Sequence, residues 1–203
     1  MDIRTFWENR VKQNLDKIFI YYQDEEISYA LTDARINQRG NTFFKLGVNK
    51  GDRVLMLPNT PEFIYSWFGL AKIGAAMVPI NTSFKATEAQ YVVNHSEAVG
   101  LVVNNGYLDV ALQIRNSCPH LKWLACTEAG TLPDGIIEFE KLAATMPDKL
   151  EKVDLKDDDL AAIIYTSGTT GFPKERFTCT RASRSLAKPL SSAPGLSPMT
   201  ASW

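Results

Sequence analysis

The stretch Leu160–Lys174, LAAIIYTSGTTGFPK, decides the fold class of this 203-residue chain and points to its chemistry. It opens with LAAIIY, an apolar run of strand length, which predicts a strand that is buried on both faces. The run then passes directly into TSGTTG, a series of small and hydroxyl-bearing residues. A buried strand that ends in a glycine-rich turn is typical of an α/β protein with a mostly parallel sheet.

The residues before this stretch alternate between helical and strand-like segments, which predicts a mostly parallel sheet flanked by helices. An amphipathic first helix with Phe6 and Trp7 comes first, and the later predicted helices are 31–46, 61–73, 87–96, 108–116 and 139–145. The predicted strands are 53–57, 76–80, 99–103, 123–126 and 160–165. The expected capping residues are Gly47, Asn59 or Thr60, and Thr87. The expected core aromatic residues are Phe43, Phe44, Trp67 and Trp123.

The glycine-rich turn has the composition of a phosphate-binding loop. Its glycines allow the backbone to turn tightly, and consecutive N–H groups in such a turn form an anion-binding concavity. Lys174 adds a full positive charge, and hydroxyl groups come from Thr166, Ser167, Thr169 and Thr170. It is not a Walker loop, because Lys174 follows Pro173 and no Gly-Lys-Ser/Thr sequence is present here. From the residues alone, polyphosphate binding with Mg²⁺ and a solvated Ser/Thr/Gly loop are both open.

The segment 165–174, YTSGTTGFPK, resembles the signature loop of the adenylate-forming superfamily: acyl-CoA synthetases, peptide-synthetase adenylation domains and luciferases. Two earlier segments, 29–54 and 57–84, also resemble this family in the same order, so the resemblance covers 29–174. The sequence of 61–81, PEFIYSWFGLAKIGAAMVPIN, most resembles carnitine and crotonobetaine CoA ligases, with medium-chain acyl-CoA ligases next. The resemblance implies a partial N-terminal AMP-binding domain over 1–175.

The resemblance also implies an ATP-dependent, AMP-forming acyl-CoA ligase. In that reaction a carboxylate attacks the α-phosphate of ATP, pyrophosphate leaves, and the CoA thiolate attacks the activated carbonyl. The implied β- and γ-phosphate ligands are Thr166, Ser167, Gly168, Thr169, Thr170 and Gly171. Lys174 would neutralise the departing pyrophosphate, and Thr166 or Thr170 would touch the Mg²⁺ shell. ATP with Mg²⁺, CoA and a small carboxylate are therefore the expected ligands.

The composition changes after Glu175. Residues 176–203 carry four basic residues, no acidic residue, nine Ser or Thr and three Pro, without apolar periodicity. This basic Ser/Pro-rich tail lies outside the family pattern and is expected to be mostly disordered, the alternative being a short docked helix around 181–190. Because the family's loop continues Pro-Lys-Gly and its members are much longer, we expect a truncated, catalytically inactive fragment, and we hypothesise a frameshift. The alternative is a short nucleotide-binding or interaction module.

A truncated sheet would have an open edge. We expect unpaired backbone groups and apolar side chains beside Ile163 and Ile164, and open edges of this kind pair with other chains. The sequence therefore predicts self-association.

The remaining sequence features disfavour several kinds of partner, location and site. The net charge of −1 disfavours nucleic-acid partners. Charges in the apolar stretch 61–80 disfavour a membrane span, and the polar start disfavours a signal peptide, so a cytoplasmic location is expected. Reduced, structural thiols are expected at Cys118, Cys126 and Cys179. His95 and His120 show no metal or catalytic pattern, and the run 157–159, three Asp, is either a cation site or a solvated turn.

Overall fold

A computed structural model describes residues 2–56, 60–128, 130–166 and 174–179, and for Thr166 and 174–179 it describes the backbone alone. The chain starts with helix α1 (Ile3–Asn14) and a hairpin of strands β1 (Ile18–Tyr22) and β2 (Glu25–Ser28). The helices that follow are α2 (Tyr29–Lys45), α3 (Pro61–Lys72), α4 (Ala86–His95), α5 (Asn105–Arg115) and α6 (Phe139–Ala144). The strands that follow are β3 (Arg53–Met56), β4 (Ala76–Pro79), β5 (Gly100–Val103), β6 (Trp123–Cys126), β7 (Ile136–Glu138), β8 (Leu160–Thr166) and β9 (Lys174–Cys179).

Seven of these strands form one sheet in the order β7-β6-β5-β3-β4-β8-β9. Every neighbouring pair from β7 to β8 is parallel, and only the pair β8–β9 is antiparallel. The central strands are short and apolar, and all four residues of β5 and of β6 are buried. The predicted α/β class with a mostly parallel sheet is confirmed.

Helices cover both faces of the sheet, as expected for buried parallel strands. On one face α4 and α5 pack against alternate strand residues such as Leu55, Val78 and Leu101. On the other face α2, α3 and α6 pack against the intervening residues, among them Val54 and Met77. Strand residues i and i+1 therefore enter different cores, which explains why these strands read as unbroken apolar runs.

The helix ends follow the capping chemistry that the sequence predicts, with one exception. Gly47 has a φ of +78° just after α2, and Thr60 occupies the N-cap position ahead of Pro61. Thr87 is not a cap, because α4 begins at Ala86. The Lys85 backbone N–H is satisfied instead by the Glu88 carboxylate at 3.0 Å, and the helix starts there.

The predicted core is correct except at one aromatic residue. Phe43 is fully buried, and Trp123 is buried against it, their ring centroids being 6.5 Å apart. Trp67 is partly buried against the same core. Phe44 is 39% exposed, because the helical turn of about 100° per residue points it away from the face that carries Phe43.

A buried charged cluster joins α1, α2 and α3. The Lys72 side chain is 2% exposed, with Nζ at 3.1 Å from Asp33 Oδ1 and 2.6 Å from Asn37 Oδ1. Burial lowers the pKa of Lys72 although Asp33 and Glu8 oppose the shift. From α1, Arg4 donates to the carbonyls of Lys72, Leu150 and Glu151. The apolar stretch that contains Lys72 is thus a helix followed by a strand, and no helix among the described residues is long and apolar enough to cross a bilayer.

The predicted open edge at Ile163 and Ile164 is wrong. Strand β9 pairs along that edge, with Ile163 opposite Phe177 and Ile164 opposite Arg176. Strand β9 runs to Cys179, so the boundary predicted after Glu175 falls inside a strand and the first tail residues are extended. Residues 180–203, including the alternative helix at 181–190, lie outside the described residues.

Candidate functional site

The predicted phosphate loop joins two strands that lie side by side. In the antiparallel pair β8–β9, Thr166 is opposite Lys174, and Tyr165 is opposite Glu175. The two ends of the loop are therefore held next to each other by backbone pairing. Its middle residues Ser167, Gly168, Thr169, Thr170 and Gly171 lie outside the described residues, and so do the side chains of Thr166 and Lys174.

The loop begins at the carboxyl edge of the parallel sheet. Strand β8 is parallel to β4, with Met77 opposite Ala162, so both strands end at the same edge. In open α/β sheets this is the edge at which ligands bind, because the connections leave a crevice there. The position of Thr166, the last residue of β8, is thus the position expected for a ligand-binding loop.

An ion pair lies at the start of β8. Lys50 Nζ is 2.7 Å from Asp159 Oδ2 and also donates to the Asp154 carbonyl at 2.6 Å. The second carboxylate contact of Asp159 is the Lys156 backbone N–H at 2.7 Å. Within the Asp157–Asp159 run, Asp159 therefore serves as the partner of a lysine in the turn before Leu160.

A hydrogen-bonded aromatic pair lies at the end of β8. The Tyr165 hydroxyl is 2.9 Å from His95 Nδ1, and the two rings meet edge to face with centroids 5.8 Å apart. The His95 ring also stacks on Tyr91 at 5.3 Å. An open cleft of about 430 Å³ runs along this face of α4, and it is lined by Thr87, Gln90, Tyr91, Asn94 and His95.

The sequence alone predicted neither the Lys50–Asp159 pair nor the His95–Tyr165 pair. Lys50 and Asp159 are 109 positions apart, and His95 and Tyr165 are 70 apart. The residue types are common in surface turns and helix ends, so no local pattern marks them. The alternation of strands and helices is the only signal that bears on them, because it predicts that loops from different units meet at the strand ends.

The cysteines contribute to packing. Cys118 and Cys126 are buried free thiols, and burial raises the pKa of both, which keeps them protonated and poorly nucleophilic. The side chain of Cys179 lies outside the described residues. Within the described ranges, no group of three or more His, Cys, Asp and Glu residues is arranged to hold a metal ion.

Comparison with known proteins identifies the family of this chain. Residues 7–175 match the family model described as AMP-binding enzyme. The crotonobetaine/carnitine–CoA ligase of Salmonella typhi is 38% identical over 186 residues, which cover 85% of this chain and 35% of that protein. The chain therefore spans about a third of the length of the curated relatives that it matches.

Solved structures share the fold. The anthranilate CoA ligase AuaEII in complex with anthranoyl-AMP matches with a TM-score of 0.83 and 27% identity, over 89% of this chain and 35% of that one. The inhibitor-bound N-terminal domain of FACL13 from Mycobacterium tuberculosis matches with a TM-score of 0.78 and 26% identity, over 88% and 44%. Because the family model matches most of its length, this chain belongs to the AMP-binding enzyme family.

Proposed function

We propose that this chain binds the polyphosphate of ATP and supplies that part of an AMP-forming acyl-CoA ligase. The observation that carries the proposal is the β8–β9 hairpin, which holds Thr166 opposite Lys174 at the carboxyl edge of the parallel sheet. A glycine-rich loop between such closely held ends can turn its N–H groups towards one anion. Membership of the AMP-binding family supports ATP as that anion.

The loop residues have the chemistry that this role requires. Backbone N–H groups and hydroxyls of Thr166, Ser167, Gly168, Thr169, Thr170 and Gly171 would surround the β- and γ-phosphates. Lys174 would balance the charge that grows on pyrophosphate as the bond between the α- and β-phosphates breaks. Threonine hydroxyls are oxygen donors, which Mg²⁺ prefers, so Thr166 or Thr170 fits its coordination shell. When bound, Mg²⁺ would neutralise phosphate charge.

The complete reaction involves two further molecules. The oxygen of a carboxylate would attack the α-phosphate and release pyrophosphate, and the CoA thiolate would then displace AMP from the acyl carbonyl. The names of the curated relatives make carnitine and crotonobetaine the first acids to test.

ATP binding tests the proposal directly. Titration of the 203-residue chain with ATP and Mg²⁺ in a calorimeter should give saturable heat, and Lys174→Ala should weaken binding about 10- to 100-fold, because it removes a charge-assisted contact. Lys141→Ala is the matched control, since Lys141 is 74% exposed and its carboxylate partner Glu138 is three residues away. Absence of ATP binding, or an equal loss in both variants, would overturn the proposal.

A second candidate is a nucleotide-binding module that does not ligate. It shares the phosphate loop with the first candidate and differs from it in the exchange reaction, which requires that both reactants be oriented. ATP–pyrophosphate exchange separates the two candidates. We expect ATP binding without acid-dependent exchange for this chain alone. Exchange that needs an acid and disappears in Lys174→Ala would instead establish the ligase reaction in the chain itself.

A further inference from the structure

Strand β8 leads into the phosphate loop and is the last strand in the parallel part of the sheet. On one side it lies parallel to β4, with Met77 opposite Ala162. On its other side β8 pairs with β9 along its length. The position of β8 between these two strands therefore sets where the loop begins and ends.

In addition to the packing of Ile163 in the core, two polar side-chain contacts join β8 to the rest of the domain, one at each end of the strand. Asp159, which immediately precedes the strand, forms the ion pair with Lys50. Tyr165, which immediately precedes Thr166, forms the hydrogen bond with His95. Each contact is adjacent in sequence to a strand end, so each restrains the direction in which β8 points.

We propose that the pairs Lys50–Asp159 and His95–Tyr165 are the positioning contacts of the phosphate loop. They act by fixing both ends of β8, and through Thr166 and its pairing with Lys174 they fix the two ends of the loop. This inference rests on the proposed function, since the loop is taken to bind the phosphates of ATP. None of these four residues needs to touch the nucleotide.

The partners of β8, Lys50 and His95, lie on segments that pack against the central sheet. Lys50 lies in the turn before β3, where its Cγ would be 2.8 Å from a Cβ added to Gly74, so its stem lies directly against that glycine. His95 ends α4, and Val92 and Val93 of that helix are fully buried. A contact with either residue therefore holds β8 in a defined position relative to the central sheet.

Stability and positioning can be separated by measurement. The Lys50 and Asp159 side chains are 35% and 17% exposed, and ion pairs near the surface contribute little to global stability. Loss of the pair should thus alter the loop more than the unfolding transition. A change in ATP affinity at an unchanged urea midpoint is the signature of positioning.

The experiment uses three variants of the full chain: Tyr165→Phe, His95→Phe and Lys50→Met. Each should raise the Kd for ATP with Mg²⁺ about 2- to 10-fold, the range for one hydrogen bond or ion pair, and leave the urea midpoint near that of the wild type. Lys50→Arg should restore affinity. Glu97→Gln is the control, because Glu97 forms an ion pair with Arg53 at 2.6 Å that includes no residue of β8.

A double variant and a hydrogen-exchange measurement complete the test. The double variant His95→Phe/Tyr165→Phe should bind ATP like either single variant, because all three lack the same bond. Additive losses would overturn that assignment. Unchanged affinity in all three single variants, or an equal loss in Glu97→Gln, would overturn the proposal. If the wild type binds no ATP, the proposed function fails, and hydrogen exchange of amides 160–165 decides the inference alone. Faster exchange in the three variants than in the control supports positioning, and equal exchange refutes it.

Discussion

The central strands β3–β6 and the hairpin β8–β9 belong to one sheet but are held in it by different means. Strands β5 and β6 pair at four consecutive positions, and residues such as Leu101 and Leu124 are fully buried between two helical layers. In β8, Ile163 is 3% exposed while its neighbour Ile164 is 45% exposed, and side-chain contacts mark both ends. The comparison separates a region that supplies stability from a region that presents the loop, which is how α/β scaffolds commonly divide these tasks.

Truncating one leucine in the centre should cost far more than truncating one isoleucine in β8. Leu101→Ala removes a fully buried side chain from β5 and should lower the free energy of unfolding by about 2–5 kcal/mol. Ile164→Ala, on the partly exposed face of β8, should lower it by less than about 1 kcal/mol. Urea denaturation followed by circular dichroism measures both. Equal losses would show that the Ile164 side of β8 is packed as tightly as β5.

A glycine in the centre should be intolerant of a methyl group. A Cβ on Gly100 would lie 2.0 Å from Trp123 Cζ2 on the neighbouring strand, so Gly100→Ala should destabilise by about 1–3 kcal/mol through overpacking. Gly106→Ala is the matched control in α5, where the nearest atom to the added Cβ is Asn104 Oδ1 at 3.7 Å. That variant should gain up to about 1 kcal/mol from helix propensity. Thermal melts of the two variants check the opposite signs.

The centre of the molecule was predictable because its signals are local. Apolar runs such as 123–126 are confirmed residue for residue, and Pro61 and Gly47 mark helix ends through backbone geometry that the residue type fixes. The hairpin β1–β2 was not predicted, because the sequence of β2, EEIS, contains two charged residues and a single apolar one. Strand β7 was not predicted, because it has only three residues. Short or half-exposed strands carry too little periodicity to be separated from loops.

The family was predictable from the loop motif, whereas the contacts at the two ends of β8 were not. The motif 165–174 identifies the family, and the structure adds that its ends meet across β8–β9. The open edge was predicted wrongly, because the alternation in 176–179 is limited to Phe177 and Cys179, which is too short to mark a strand, and these residues are nonetheless paired as one. The contacts of Lys50 and His95 with β8 were not predicted, because they depend on how separate βα units pack. Backbone pairing and long-range packing are tertiary properties that override local composition.

The smallest expected effect compares two tyrosine hydroxyls, one in each region. The Tyr107 hydroxyl donates to the Phe84 carbonyl at 2.7 Å in the central core, and burial raises the pKa of Tyr107 to about 12. Since this folded pKa lies above the ordinary value of 10.0, the stabilisation by the neutral hydroxyl is fully present below pH 10 and is lost as the pH rises towards 12. Tyr107→Phe should therefore cost about 1 kcal/mol at pH 8, and the difference from the wild type should shrink at pH 11. Paired urea titrations at the two pH values measure this difference, since the contributions of the other tyrosines are common to both proteins and cancel.

Tyr165→Phe should instead leave the urea midpoint nearly unchanged while it weakens ATP binding. A constant difference between pH 8 and pH 11 for Tyr107→Phe would show that its hydroxyl ionises normally. A midpoint shift in Tyr165→Phe as large as that in Tyr107→Phe would show that the Tyr165 hydroxyl serves global stability rather than the position of the loop.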